Sequence, residues 1–136
     1  MFVKKSVLIF CITILALIFV TNTAFSFNKQ HYDKLIATRN CPGCDLSNAA
    51  FSYANLNGSH LSNVNLSKAN LSEAILTNAI LTNANLSGAN LSGANLTSAD
   101  LTGADLSGVN LNNVNLNNAT WTDGTVCKSR SLGHCH

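Results

Sequence analysis

Charged residues are scarce in this sequence. Only 10% of its 136 residues are Asp, Glu, Lys or Arg, against about a quarter in ordinary soluble domains. Eight basic residues stand against six acidic ones, and because Lys4 and Lys5 lie at the very N-terminus, the rest of the chain is neutral. A neutral chain has neither the basic footprint of a nucleic-acid-binding protein nor an acidic surface that imitates nucleic acid. We therefore expect no nucleic-acid partner, and the solubility of the chain must come from Asn, Ser and Thr.

The sequence also lacks an apolar run of about 20 residues, the length that crosses a bilayer. Its longest apolar run covers residues 7–20 and follows Lys4 and Lys5. Ala24 and Ser26 then occupy the −3 and −1 places of a cleavage site. This order predicts a signal peptide over residues 1–26 and export to the periplasm or the extracellular space. The alternative is that the segment stays uncleaved and anchors the protein in a membrane.

The first residues after the leader have an ordinary composition. Leu35 and Ile36 lie three and four residues after Tyr32, the spacing of one apolar helix face. We expect a short helix within residues 27–43 that caps the N-terminal end of the main body of the chain.

The main body repeats with a period of five and has no insertion. Large apolar residues recur at every fifth position from Leu46 to Trp121; fourteen of these sixteen are leucine, and alanine stands two residues before eleven of them. A helix would advance by about 500° per repeat and scatter the leucines around its circumference. In a flat strand, successive alanines would point to opposite faces, because they are an odd number of residues apart. Short extended pieces joined by a corner in every repeat satisfy the pattern, and stacked coils of such pieces form a β-solenoid.

The unit A-[DN]-L-x-x, repeated without a gap over about residues 41–123, resembles the pentapeptide-repeat family. The resemblance implies an all-β fold: a right-handed quadrilateral β-helix over residues 44–123, with about four coils of four repeats each. Leucines and alanines would both point into the shaft, and Leu46, Leu66 and Leu86 would stack on one side. Residues 27–43 would cap one end as a short helix. Residues 124–136, the tail, would cap the other.

Four cysteines lie at these two ends, Cys41 and Cys44 in the motif CPGC and Cys127 and Cys135 in the tail. In the shaft that the resemblance implies, the ends are about 19 Å apart at about 4.8 Å per coil, whereas bridged Cα atoms lie within about 7 Å. We therefore expect the disulfides Cys41–Cys44 and Cys127–Cys135, which suit an oxidising compartment.

Two alternatives remain open for these cysteines. CPGC has the spacing of a thioredoxin-like redox pair, although the strand and helix that surround such a motif are missing. Cys127, His134, Cys135 and His136 cluster as candidate metal ligands, although their spacing is not that of a structural zinc site. We expect no metal and no cofactor.

Three apolar residues fall at positions that point away from the shaft: Tyr53, Ile75 and Ile80. The two isoleucines stand just before a large inward residue, where the repeat normally has Asn or Asp. Grouped apolar side chains on a surface mark interfaces, so the three residues form a candidate interaction patch for a partner or for a second copy. The alternative is ordinary scattered apolar surface.

These features predict a non-enzymatic, exported repeat protein that acts as a rigid structural or protein-interaction module. No titratable residues converge in the repeat, since even His60 and Asp100, on one side, are about 10 Å apart by the stacking distance. Self-association could use the ends of the β-helix or the patch, and membrane contact is expected only if the leader is retained. The resemblance also implies an alternative, because some family members inhibit type II topoisomerases by imitating DNA. Neutral charge and the export signal disfavour it.

Overall fold

The computed structural model describes residues 27–128 and 130–135. The predicted signal peptide, residues 1–26, lies outside the described residues, as do Ser129 and His136. Within the described part of the chain, no helix is long and apolar enough to cross a bilayer.

The first element is helix α1, Lys29–Thr38. Asn28 caps it by accepting the backbone N–H of His31, which satisfies one of the free donors of the first turn. The helix ends at Arg39, whose left-handed backbone directs its N–H to the carbonyl of Leu35. Leu35 is fully buried, whereas Ile36, which we expected on the same apolar face, is 50% exposed. Since α1 lies across one end of the shaft, only a narrow strip of its surface is covered.

The repeat forms a four-sided β-helix, which confirms the solenoid expected from the period. Parallel bridges join residues twenty apart, from Asn40 with His60 to Asp100 with Thr120. These are single-residue bridges, and the described residues contain no longer strand. Since a step of twenty holds four repeats, each repeat forms one side, and we number the sides by their inward residues. Side 1 has Leu46, Leu66, Leu86 and Leu106; side 2 has Phe51, Leu71, Leu91 and Leu111; side 3 has Leu56, Leu76, Leu96 and Leu116; side 4 has Leu61, Leu81, Leu101 and Trp121.

The backbone hydrogen bonds of the shaft run along its axis. The N–H of Leu66 donates to the carbonyl of Asn85 at 2.7 Å, and the N–H of Asn85 donates to the carbonyl of Val64 at 2.9 Å. The same two bonds recur at the other parallel bridges. A five-residue side is too short to satisfy its own polar groups, so each coil depends on its neighbours along the axis.

Each corner is a tight turn in which the fourth residue donates to the first, as the N–H of Ala89 does to the carbonyl of Leu86 at 2.9 Å. The third residue of the turn has a positive φ at all sixteen positions from Gly43 to Asn118, which is the signature of a type II turn. Glycine holds six of these positions and asparagine another six. Both enter the left-handed region more readily than other residues, which explains why they recur every fifth residue.

The residue before each inward leucine points outward, and where it is Asn or Asp it binds the backbone two residues ahead. Asn85 Oδ1 accepts the N–H of Ser87 at 3.0 Å, and Asp105 Oδ1 accepts that of Ser107 at 2.9 Å. This Asx turn guides the chain into the next corner. The hydroxyl and the N–H of Ser107 also hold the pKa of Asp105 below its usual value, because both bonds stabilise the carboxylate.

The inward residues fill the shaft. All leucines from Leu46 to Leu101 are at most 1% exposed, and burying each contributes about 1.5–3 kcal/mol. Alanine fits beside leucine because the lumen has room for one large and one small residue on each side. Ser59 takes an alanine place, where its hydroxyl is buried without a hydrogen-bond partner among the described residues.

Helix α1 closes the N-terminal end of the shaft. Tyr32 stacks on Phe51 with ring centroids 4.9 Å apart. His31 Nδ1 lies 3.0 Å from the backbone N–H of Asp45, which donates to it. The helix therefore covers both the apolar lumen and part of the first backbone edge.

The tail turns back beneath the shaft instead of continuing the spiral. After Trp121 the chain reverses in a hairpin, and an antiparallel bridge pairs Val126 with Thr120 under side 4. A second antiparallel bridge pairs Leu132 with Asn115 under side 3.

Sides 1 and 2 therefore end without a covering strand. Leu106, Val109 and Leu111 are only half-buried there. The tail, which we expected to cap this end, lies beneath sides 3 and 4, because the hairpin directs the chain from side 4 back toward side 3.

Replacing Ser59 by Ala should raise the free energy of unfolding by about 1 kcal/mol, because it removes a buried hydroxyl that makes no hydrogen bond. The control is Ser62→Ala, which loses the 2.8 Å bond from Thr82 and should destabilise the protein. Chemical denaturation of both variants measures the two changes. Destabilisation by Ser59→Ala would mean that its hydroxyl is paired in solution.

The aspartates of the Asx turns predict how stability depends on pH. Hydrogen bonds from Ser47 or Thr125 lower the pKa of Asp45 and of Asp123, as those from Ser107 do for Asp105. A group whose pKa is lowered by folding stabilises the protein above its unfolded pKa, about 3.9 for Asp, and this contribution is lost as the pH falls through the folded pKa. The contribution of these three aspartates to the free energy of unfolding should therefore be constant above about pH 5 and be lost progressively below about pH 4.

The control for this pH dependence is a variant with Asn at all three positions, because Asn keeps the accepting oxygen but does not titrate. Its free energy of unfolding, measured by denaturation across the same pH range, should fall less steeply. A decline as steep as that of the unsubstituted protein would contradict the assignment.

Candidate interaction surface and cysteine pairs

The three predicted patch residues lie on neighbouring sides and corners of the shaft. Ile75 points outward on side 3 and is 42% exposed, whereas Ile80 points outward on side 4 and is half-buried. The corner at Asn78 separates them. Tyr53 forms the corner between sides 2 and 3, one coil nearer the N-terminal end, and is 77% exposed. We call Tyr53, Ile75 and Ile80 the apolar patch.

Two further apolar residues extend the same two sides, and neither is predicted from the sequence. Val126 is 63% exposed and Leu132 is 58% exposed. Their bridges to Thr120 and Asn115 align them with the outward residues of sides 4 and 3. No sequence signal could have placed them, because the five-residue period that reveals which way a side chain points ends at Trp121.

Sides 1 and 2 are polar at the equivalent outward positions, apart from Ala50. Their side chains bond along the axis: Asn65 donates to Asp45 at 3.1 Å, and Asn110 donates to Asn90 at 3.2 Å. The described shaft therefore has a polar half, and a half on which isoleucine, valine and leucine interrupt the polar columns.

The two isoleucines of the patch replace the side chains that the fold prefers. At their positions Asn or Asp would accept the N–H two residues ahead, which belongs to Thr77 or Thr82. Neither N–H has a hydrogen-bond partner among the described residues. Ile75 and Ile80 thus omit a local hydrogen bond and add exposed apolar surface.

His60 and Asp100 do not form an acid–base pair. Both lie on side 4, but Ile80 forms bridges with each of them and so stands between them. Asp100 is occupied by the N–H and the hydroxyl of Thr102, at 2.9 and 2.6 Å.

The four cysteines at the two ends of the shaft form two disulfides, Cys41–Cys44 and Cys127–Cys135, with Cα atoms 5.4 and 4.8 Å apart. These are the pairs expected for the two ends of the shaft. Cys41 and Cys44 occupy inward places of the first repeat and are at most 4% exposed. Cys127 is fully buried beneath the shaft, so its bond to Cys135 ties the end of the tail to the hairpin.

The surroundings of the sulfur atoms bear on the redox and metal alternatives. The carbonyl of His31 lies 3.5 Å from Cys41 Sγ, beneath helix α1, so a partner thiol could reach this disulfide only after the helix moved. At the other end, Cys127 and Cys135 are bonded to each other, and His136 lies outside the described residues. The described residues contain no group of three or more His, Cys, Asp or Glu side chains able to hold a metal ion.

A shallow cavity of about 300 Å³ lies beside α1, lined by Phe27, Lys29, Tyr32, Asp33 and Ala50. Lys29 and Asp33 form an ion pair across one helical turn, 2.6 Å apart. The two charged residues of the cavity wall thus neutralise each other, and the rest of the wall is apolar or aromatic.

Comparison with known proteins agrees with this architecture. The family model described as Pentapeptide repeats matches residues 44–83 and 79–118 with eight copies, more than half of the chain. No curated protein matches.

Similar solved structures include three pentapeptide repeat proteins. HetL from the cyanobacterium Nostoc sp. strain PCC 7120, involved in heterocyst differentiation regulation, is 36% identical over 64% of this chain and 42% of its own length, with a TM-score of 0.44. Rfr23 from the cyanobacterium Cyanothece 51142 is 31% identical over 72% of this chain and 97% of its own, with a TM-score of 0.37. A protein of the Arabidopsis thaliana thylakoid lumen is 28% identical over 65% and 72%, with a TM-score of 0.37. This chain thus spans less than half the length of HetL.

Alkylation without reductant should leave Cys41, Cys44, Cys127 and Cys135 unmodified, because all four are in disulfides. Reduction in denaturant should then expose four thiols, which mass spectrometry of the protein recovered after export would count. The control is treatment with EDTA alone, which should expose none. Thiols that become reactive on chelation would instead favour a metal site in the tail.

Proposed function

The chain belongs to the pentapeptide-repeat family, and from this premise we propose that it works without catalysis, as a rigid rod that binds a protein partner. In this proposal the right-handed shaft has about four coils, stiffened by α1 at one end and by the disulfide-stapled tail at the other. Sides 3 and 4 carry the binding surface. The contrast between the two halves of the shaft is the observation that supports the proposal most directly.

The chemistry of the surface favours binding over catalysis. Catalysis needs titratable groups that converge in a cleft. The carboxylates that precede inward leucines, Asp45, Asp100 and Asp105, are instead bound to their own turns. An interface needs exposed apolar groups within a polar surround. Ile75 and Ile80 provide such groups among Asn, Thr and Ser side chains.

The rigidity of the shaft would favour the affinity of such a surface. The apolar patch lies on corners and sides that are hydrogen-bonded along the axis at each coil. Because the backbone that carries the patch is already held in place, it would not have to become ordered when a partner binds. This reduces the entropic cost of association.

We propose that the protein acts after export, in the periplasm or outside the cell. The order of residues in the leader supports export, and two disulfides suit an oxidising compartment. Retention of the leader would instead hold the shaft at the membrane surface.

The charges of the shaft argue against the alternative of topoisomerase inhibition by DNA mimicry. A mimic needs closely spaced negative charge along its length. On the polar half of this shaft, carboxylates stand in the outward column of side 1 only at Asp45 and Asp105, with Asn65 and Asn85 between them. Such a sparse column does not resemble a phosphate backbone.

The test is a pull-down from the exported fraction of the native cell, comparing the unsubstituted protein with Ile75→Asn/Ile80→Asn. Asn restores the acceptor for the N–H groups of Thr77 and Thr82, so the variant should fold at least as well, which denaturation would verify. We expect recovery of a specific partner to fall by about tenfold, since two apolar anchors are lost.

The matched control is Ala50→Asn/His60→Asn, which makes the same kind of change at two outward positions outside the patch. It should retain the partner. Equal loss in both variants, or retention of every partner by Ile75→Asn/Ile80→Asn, would contradict the role of the apolar patch.

A further inference from the structure

The charges of this protein are segregated around the shaft, although they nearly cancel in sum. The corners that follow sides 1, 2 and 4 carry Lys68, Glu73 and Asp123. The corner between sides 3 and 4, which we call the ridge, has no charged residue in its turns. The third residues of those turns are Gly58, Asn78, Ser98 and Asn118. Cations lie instead at the two ends of the ridge.

The cation at the N-terminal end of the ridge is Arg39. Its backbone ends helix α1, and its Nη1 donates to the carbonyl of Asn57 at 3.5 Å. Asn57 precedes Gly58 in the first turn of the ridge. The guanidinium therefore lies on the ridge, where the side chain is exposed and forms no ion pair with a described carboxylate.

Two further cations, Lys128 and Arg130, lie at the C-terminal end of the ridge. The carbonyl of Cys127 accepts the N–H of Asn118 at 3.0 Å, and the N–H of Arg130 donates to Asn117 Oδ1. The tail therefore crosses beneath the last turn of the ridge. Lys128 and Arg130 are exposed there, and within the described part of the chain neither forms an ion pair.

Apolar side chains flank the ridge on both sides. Ile75 and Leu132 lie on side 3, and Ile80 and Val126 lie on side 4. Among the described outward residues of these two sides, Asp100 is the only carboxylate, and its Oδ1 accepts two hydrogen bonds from its own turn. The ridge thus combines three cations with aliphatic groups, whereas the other carboxylates of the shaft lie on side 1 and at other corners.

The shape of the ridge limits what can cover it. Its charged ends are about 19 Å apart, because the tail lies four strand spacings of about 4.8 Å beyond the first turn. The ridge is a convex edge between two sides of the shaft. A flat surface would touch such an edge along a line, whereas a concave surface would contact both flanks and bury the aliphatic groups on each.

We infer that the partner of sides 3 and 4 receives the ridge in a concave groove with apolar walls and with carboxylates at both ends. This inference rests on the proposed function, because it concerns the same surface. The carboxylates would meet Arg39 at one end and Lys128 and Arg130 at the other, which sets the position of the ridge along the groove. The walls would cover Ile75 and Ile80 from the two flanks.

The apex of the ridge favours a protein groove over an anionic lipid surface. Cations and aliphatic side chains together would suit either. Between the charged ends, however, the ridge exposes the amides of Asn78 and Asn118 and the hydroxyl of Ser98. These groups lose their water when the ridge is covered, so the covering surface must supply hydrogen-bond partners. A protein can place donors and acceptors opposite them, whereas lipid chains have none.

The first test is carbodiimide cross-linking in the exported fraction of the native cell, which joins a lysine amine to a carboxylate in contact with it. Arg39→Lys keeps the charge and provides an amine at the N-terminal end of the ridge. We expect this amine and that of Lys128 to be joined to two different carboxylates of one protein, as mass spectrometry would map. Lys34 and Lys68 are exposed away from the ridge and serve as internal controls. Equal yields from all lysines, or different proteins at the two ends, would overturn the inference.

The second test compares Arg39→Glu/Lys128→Glu with Lys34→Glu/Lys68→Glu, which changes the net charge equally but outside the ridge. At low salt, recovery of the cross-linked protein should fall by about tenfold in the first variant and by less than about twofold in the control. The difference should shrink at about 0.5 M salt, where exposed charges are screened. Denaturation would verify that both variants keep the fold.

The outcomes distinguish this inference from the proposed function. If Ile75→Asn/Ile80→Asn releases the partner but Arg39→Glu/Lys128→Glu does not, the apolar patch binds a partner without an acidic groove, and only the inference fails. If neither variant releases it, both fail. Sedimentation with vesicles of phosphatidylglycerol and phosphatidylcholine tests the lipid alternative. Vesicle binding that Arg39→Glu/Lys128→Glu abolishes would assign the ridge to a membrane surface and overturn the groove.

Discussion

Every side of this protein depends on backbone hydrogen bonds to the sides that lie twenty residues before and after it. A five-residue side is too short to form a stable strand alone, and it gains stability only as part of a stack. Stacking requires that every side have the same length, so that N–H and carbonyl groups meet in register around the whole coil. The uninterrupted period, the uniform corners and the regular change between leucine and alanine all result from this requirement. A single inserted residue would displace one side and deprive both neighbouring coils of partners.

The same dependence makes the two ends the weakest parts of the shaft, because a terminal coil has a neighbour on one side only. The chain treats the ends differently. At the N-terminus, α1 lays Leu35 over the lumen, and the first repeat closes with the disulfide Cys41–Cys44. At the C-terminus, the chain reverses and a second disulfide holds the reversed segment in place. Both disulfides lie where the axial hydrogen bonds stop, so they stabilise the coils that the ladder supports least.

The outward residues do not have to fit the lumen, and their side chains divide the surface of the shaft into a polar half and a half that carries apolar residues. Asn and Asp predominate because their side chains guide the chain into each corner, which links the surface composition to the fold. Ile75 and Ile80 depart from that rule at the cost of a local hydrogen bond. A departure that the fold does not require is a reason to look for function on sides 3 and 4.

The sequence alone determined the β-helix, the inward direction of Leu46 to Leu101 and the outward direction of Tyr53, Ile75 and Ile80. It could do so because an unbroken period leaves each repeat in the same environment, so that the position within the repeat specifies where a side chain points. Only the tertiary structure decided the features that lie outside the period: the exposure of Ile36, the alignment of Val126 and Leu132 with sides 4 and 3, and the half-covered end beneath Leu106 and Leu111. After Trp121 the register is lost, and the course of the tail depends on which backbone groups of the last coil it meets. That choice is made by contacts between residues distant in the sequence, and local pattern does not encode them.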